Sequence, residues 1–201
     1  MKKQNKKIVT FAFIDATNII YGASNHGWRM DFRKLAHYLK TRFEVSKILY
    51  YAGIDNKNIK QLKFYEKLQQ FDYELRLVPV KTFRDGKKKA DVDSRMTFEM
   101  MKYFSLYNNV IIFTGDGDFY WVLEYLLQIK KIVKLMAHGR STARELKRLF
   151  GYRFTDLASL RWMLEETIKK NGTDAKAESV PRGYKRSISK VKNFVKNKKY
   201  V

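Results

Sequence analysis

Three short acidic segments carry the residues best suited to hold a divalent cation: Phe13-Ile14-Asp15-Ala16-Thr17-Asn18, Ala90-Asp91-Val92-Asp93 and Thr114-Gly115-Asp116-Gly117-Asp118-Phe119. The first and third each close an apolar run. Carboxylates gathered in one place repel one another, so such a cluster is tolerable only when cations or protons neutralise it. Oxygen ligands without histidine or cysteine favour Mg²⁺ or Mn²⁺ over zinc. The chemistry that follows is metal-assisted phosphodiester hydrolysis. A bound ion acidifies water, orients the phosphate and stabilises the leaving oxygen, so a separate protein nucleophile is unnecessary.

Charge points to a polyanionic partner. The chain has 201 residues, with 42 Lys and Arg against 20 Asp and Glu, a formal charge of +22. An excess of that size favours nucleic acid or an anionic membrane surface. With no cysteine, disulfides, thiolate-bound zinc and cysteine nucleophiles are excluded, which fits a reducing cytoplasm. Lys2, Lys3, Lys6 and Lys7 precede the apolar run from Ile8 to Ile14 as they would in a secretory leader. That run meets Asp15 and lacks a small-residue cleavage site, so it reads as a first strand. No stretch approaches the roughly 18 apolar residues of a transmembrane helix, so no membrane span is expected, and of the two anionic partners nucleic acid, not a membrane, is the one expected.

The elements that must position the acids alternate. Runs rich in β-branched and aromatic residues recur at Ile8 to Ile14, Val45 to Tyr51, Tyr73 to Val80, Val110 to Phe113 and Ile132 to Met136. Helical periodicity lies between them: Phe32, Leu35, Ala36 and Leu39 after an Asp31 cap, then Leu62, Tyr65 and Leu68, then Met96, Met100 and Phe104, then Phe119, Val122, Leu123 and Leu126. Alternating strands and helices predict an α/β fold with a parallel sheet covered on both faces. Ser141 is expected to cap a helix through Phe150, and Thr155 another through about Ile168. The folded domain is therefore expected over residues 1–168. Residues 169–201 carry eleven Lys and Arg against Asp174 and Glu178, a net +9 that leaves +13 on the domain, and read as a flexible basic tail.

Ligands of open parallel sheets bind beyond the carboxyl ends of the strands, where the chain order reverses. If the first and fourth strands are neighbours, as in the order 3-2-1-4-5, Asp15 and Asp116 face one crevice. The helix that starts after Lys87-Lys88-Lys89 could bring Asp91 or Asp93 into it. Of the two, Asp93 reads as a solvated first-turn acid favoured by the helix dipole.

These blocks resemble those of NYN domains, members of the PIN-like nuclease superfamily, over about residues 8 to 165. The TGDGDF block after the fourth strand carries the resemblance furthest. It implies a PIN-like Rossmannoid three-layer sandwich, a Mg²⁺ or Mn²⁺ site and endonucleolytic cleavage of RNA. By motif position it implies Asp15, Asp91, Asp116 and Asp118 as metal and catalytic acids. Asn18 matches an asparagine held near them, and Ser141 a serine at the helix after the fifth strand. Arg140 beside Ser141, and Lys89 with its basic neighbours, are the expected phosphate contacts. Two features depart from the family pattern. Thr97-Phe98-Glu99-Met100 stands two residues later than the family's Thr-Ile-Asp-Met, which leaves Glu99 as a candidate fifth acid. Gly151 and Tyr152 stand where the family has Ala-Asp.

Other chemistries fit less well. Gly115-Asp116-Gly117 lacks the third glycine of a dinucleotide fingerprint, and its acids would repel a pyrophosphate. Asp15-Ala16-Thr17 lacks the second acid of an aspartyl phosphatase. No Walker A loop or Gly-x-Ser-x-Gly elbow is present. Two alternatives stay open: a non-catalytic RNA-binding protein on the same fold, and a nuclease acting on DNA. His26, His37 and His138 show no ligand spacing and are expected at the surface or in local hydrogen bonds. The oligomeric state is open, a homodimer among the options.

Overall fold

Strand β1 (Thr10–Asp15) is buried at all six positions, as an uninterrupted apolar run should be when both faces of a sheet are covered. In the computed structural model, which describes residues 8–82 and 88–167, β1 lies at the centre. It pairs in parallel with β2 (Val45–Ile54) on one side and with β6 (Asn109–Phe113) on the other. Beyond β2 lies β3 (Tyr73–Pro79); beyond β6 lie β7 (Ile132–Ala137) and β8 (Phe154–Asp156). All ladders of this sheet are parallel, in the order β3-β2-β1-β6-β7-β8. A separate antiparallel pair, β4 (Lys81–Thr82) and β5 (Lys88–Lys89), precedes the second acidic block.

The alternation of side chains on β1 and β2 divides the core. Ile14 and Tyr50 face the layer of α1 (Ala16–Asn25), α2 (Phe32–Phe43) and α3 (Ile59–Gln70), where they pack with Ile19, Leu35 and Tyr65. Phe13 and Tyr51 face the layer of α4 (Val92–Lys102), α5 (Tyr120–Gln128) and α6 (Arg144–Phe150), against Met96, Met100, Leu123 and Leu146. Asp31 caps α2 as expected, accepting from Arg33 N and Lys34 N. The short α7 (Arg161–Leu164) returns to the start of α2, where Asp31 N donates to Leu164 O at 2.8 Å.

Three local expectations need correction. A sixth strand, β8, includes Thr155, which therefore caps no helix; Asp156 takes that role, its Oδ1 accepting from Ala158 N. Helix α6 starts later than expected, with Ala143 at its N-cap and no side-chain cap, while the Ser141 hydroxyl donates to His138 O. His138 is not at the surface: it is 1% exposed, stacked on His26 at 5.3 Å between ring centroids. Burial, reinforced by the neighbouring His26, lowers its pKa. The basic tail and residues 83–87 lie outside the described residues, as do the side chains of Lys88 and Lys89.

Glu99 is accounted for by packing. On the inner face of α4 it accepts from Arg76 Nε at 2.7 Å, Arg95 Nε at 3.1 Å and the Tyr51 hydroxyl at 3.0 Å. It is a structural acid tying α4 to β2 and β3, with no part in lining the acidic crevice. Removing one member of a buried ionic network leaves the others desolvated and unpaired, so Glu99→Ala is expected to cost about 3 kcal/mol. Urea denaturation would measure it, and a loss below about 1 kcal/mol, the value of a surface pair, would refute the assignment.

Candidate active site

The first and third acidic blocks meet because β1 and β6 are hydrogen-bonded neighbours in register, Ile14 opposite Phe113. The residues that follow, Asp15 and Thr114, therefore leave the sheet side by side. The Thr114 hydroxyl, fully buried, donates to Asp15 Oδ2 at 3.1 Å and accepts from Asp116 N at 3.2 Å. The other Asp15 oxygen caps α1 by accepting from Asn18 N at 3.2 Å. Asn18 in turn crosses to the third block, its Oδ1 accepting from Gly115 N at 2.8 Å. Asp116 turns the chain into α5 by capping the short 3₁₀ turn Gly117–Phe119, accepting from Asp118 N at 3.0 Å.

Gly115 is required by crowding. A Cβ there would lie 3.1 Å from Thr142 Cα, 2.9 Å from Thr142 Oγ1 and 3.2 Å from Asn18 Oδ1. Its carbonyl accepts from Ala143 N at 2.9 Å, which draws the start of α6 against the acidic loop. Because a backbone atom is among the neighbours, Gly115→Ala is expected to cost about 1–3 kcal/mol, as overpacking does. The readout is the denaturation midpoint, and a neutral result would mean that this junction is loose.

Asp15, Asp93 and Asp116 line one cavity of about 340 Å³, together with Asn18, Ser141 and Tyr21. Asp15 is 4% exposed, and its pKa is raised to about 6. Burial is the largest cause; the Asn18 amide opposes it, Asp93 raises the value again, the Thr114 hydroxyl lowers it and Asp116 raises it.

The remaining acids lie next door. Asp91 is exposed and spends its carboxylate capping α4, Oδ1 accepting from Ser94 N at 3.4 Å. With Asp93 and the exposed Asp118 it lines a neighbouring cavity of about 540 Å³. Asp93 is thus the acid common to both, a position that sequence reasoning assigned to solvent. Asp118 does not cap α5, whose N-cap Phe119 has no side-chain bond. Arg140 is exposed one residue before Ser141. Thr114 and Tyr21 were not singled out from sequence. Thr114 stands inside the TGDGDF block, whereas nothing in the pattern marks Tyr21.

Among the described residues, no three His, Asp or Glu side chains are gathered closely enough to grip one ion directly. The oxygen donors around this open space are nevertheless the three carboxylates of Asp15, Asp93 and Asp116 with amide and hydroxyl oxygens beside them. That suits Mg²⁺, which keeps several waters and is held by one or two carboxylates plus substrate phosphate. No described helix is long and apolar enough to cross a membrane.

Comparison with known proteins agrees with this architecture. The chain is 27% identical over 163 residues to the low amplitude and bright protein LabA of Synechococcus elongatus, covering 77% of this chain and 87% of LabA. A crystal structure of a Vibrio parahaemolyticus protein of unknown function, VPA0982, superposes with a TM-score of 0.68 at 24% identity, over 78% of this chain and 96% of that one, and shows the same fold. The NYN domain family model matches residues 10–158, and the chain therefore belongs to the NYN domain family of PIN-like nucleases.

Proposed function

We propose that this protein is a divalent-cation-dependent endoribonuclease. The observation that carries the proposal is the Thr114 hydroxyl joining Asp15 to Asp116 at the carboxyl edge of adjacent parallel strands, with Asp93 lining the same cavity, in a chain of charge +22. Asp15, Asp93 and Asp116 are the residues that would hold Mg²⁺ or Mn²⁺, with Asp91 and Asp118 extending the negative wall into the next cavity. A bound cation there would supply a more acidic water and neutralise charge on the phosphate. Asp15, buried and anchored through both oxygens, fixes the site's geometry. Asn18 is a positioning residue: its oxygen is committed to Gly115 N, which holds the Asp116 loop against α1. The exposed hydroxyl edge of Ser141, Arg140 and the basic residues around Lys89 are proposed to meet flanking phosphates, with residues 169–201 adding long-range attraction. The absence of cysteine suits a cytoplasmic enzyme.

The second reading is nucleic-acid binding without cleavage, favoured by the spread of the acids over two cavities rather than one tight trio among the described residues. Labelled single- and double-stranded RNA and DNA, incubated with and without Mn²⁺ beside an Asp116→Asn variant, separate the readings. Cation-dependent cutting of RNA that Asp116→Asn loses supports the proposal. Tight, salt-sensitive binding without cutting would replace it with the passive reading, and preferential cutting of DNA would change the substrate.

A further inference from the structure

A third and larger cavity, about 620 Å³, adjoins the acidic one and differs from it in character. Thr17, Tyr21, Ala90 and Val92 line both, so the two spaces share a wall. Beyond it the lining turns aromatic and amide-bearing: Tyr50, Phe64 and Tyr65 with Asn58 and Gln61. Gln61 is held rigid, its Nε2 donating to Gly53 O at 3.2 Å and its Oε1 accepting from Asp55 N at 2.8 Å. The Tyr65 hydroxyl donates to the same carbonyl at 2.6 Å. Gly53 lets Ala90 of the shared wall and Val80 close in, since a Cβ there would lie 3.1 Å from both Ala90 Cβ and Val80 Cγ2. Beneath, the Tyr50 hydroxyl is buried and finds no hydrogen-bond partner among the described residues. Above the shared wall, the Tyr21 ring is 64% exposed.

We infer that this cavity receives one unpaired base of the strand whose phosphate lies at the acids, with Tyr21 as the ring on which that base stacks. The inference rests on the nuclease reading for the position of the phosphate. Its size is that of a small-molecule pocket, and its mix of rings and fixed amides suits a flat heterocycle with a polar edge. A base reading the amides at Asn58 and Gln61 and the polar floor near Tyr50 would leave its ribose at the shared wall. A phosphate adjoining that ribose then falls next to Asp15 and Asp116. A base held in a duplex would first have to be unpaired and unstacked to enter such a cavity, so a nucleotide already single-stranded is the preferred substrate here.

The test uses a single-stranded 12-nucleotide RNA in which one abasic site is moved along the strand. Dissociation constants are measured by fluorescence anisotropy in EDTA, and cleavage is followed in Mn²⁺. One abasic position is expected to raise Kd roughly tenfold, as loss of a stacked base does. Tyr21→Ala should raise Kd for intact RNA by the same factor and add nothing on the abasic strand, while Tyr21→Phe should match the wild type. The cut should fall at a fixed distance from the sensitive nucleotide, and annealing a complement should abolish both effects. Multiplying effects of Tyr21→Ala and the abasic site, the absence of any sensitive position, or a Tyr21→Phe as weak as Tyr21→Ala would each overturn the inference. If the base-dependent pattern appears in binding but no RNA is cut, the cleft stands and the cleavage reading falls. If Asp116-dependent cutting proceeds while Tyr21→Ala and every abasic site are silent, cleavage stands and the cleft falls.

Discussion

Replacing Asp15 with asparagine is expected to lower cation-dependent RNA cleavage by roughly a hundredfold or more, the scale of disrupting groups that hold a metal site, while making the cation-free protein more stable at pH 8. The two effects share one cause. The Asp15 carboxyl is buried at the sheet edge with Asp93 and Asp116 nearby, and its pKa rises from 3.8 to about 6. A carboxyl whose pKa is raised on folding binds its proton more tightly in the folded chain. Its contribution is therefore most favourable below pH 4 and is lost as pH climbs from about 4 to about 6. Two pKa units correspond to about 3 kcal/mol, and allowing for rearranged hydrogen bonds an asparagine should recover on the order of 2 kcal/mol above pH 6. An asparagine oxygen can still accept from Asn18 N, and its amide can donate to the Thr114 hydroxyl. Denaturation in EDTA at pH 4, 6 and 8 should show the variant's advantage growing with pH. A variant less stable than the wild type at pH 8 would mean that the charge is not the source of cost.

The second large effect concerns charge at a distance. Eleven Lys and Arg against two acids occupy residues 169–201, close to half of the net +22. Each single-strand phosphate neutralised contributes about 0.7 to the slope of log Kd against log salt, so three to five tail contacts add about 2 to 3.5. A chain ending at residue 168 is expected to show that shallower slope and to bind RNA about a hundredfold more weakly at low salt. Single-turnover cleavage at saturating RNA should change little, because the acids lie on the sheet. A truncated chain that failed to cut even when saturated would place part of the active site in the tail.

Much of this arrangement was legible because uninterrupted apolar runs have few other uses in a basic chain. Five of the six strands, their parallel order and the adjacency of Asp15 and Asp116 follow from run, turn and crossover. The strand at Phe154–Asp156 escaped detection because three residues, two of them polar, show no period, and Thr155 looks as much like a helix cap as a strand residue. Among the site residues, Asp15, Asn18, Asp116 and Ser141 line one cavity, while Asp91 and Asp118 line its neighbour. The exchange of prominence between Asp91 and Asp93 has a simple origin. Asp91, at the N-cap, turns back to accept the Ser94 amide, whereas Asp93, two positions on, projects from the first turn into both cavities. Glu99, on α4, could not be placed from sequence because its partner Arg76 lies 23 residues away on β3. Tyr21 carries no signature at all, since an exposed tyrosine on a helix is ordinary until the cavities beside it are seen.

The link between Thr114 and Asp15 spans 99 residues of chain. Contacts so distant form only after a long loop has closed, and they come late relative to local helices and hairpins. During synthesis the first strand must wait for Asn109–Phe113 to leave the ribosome before its central slot fills. A half-translated copy therefore holds no assembled acidic site; if the proposed cleavage of RNA holds, the messenger and ribosome that are making the protein stay out of its reach until most of the polypeptide is in hand.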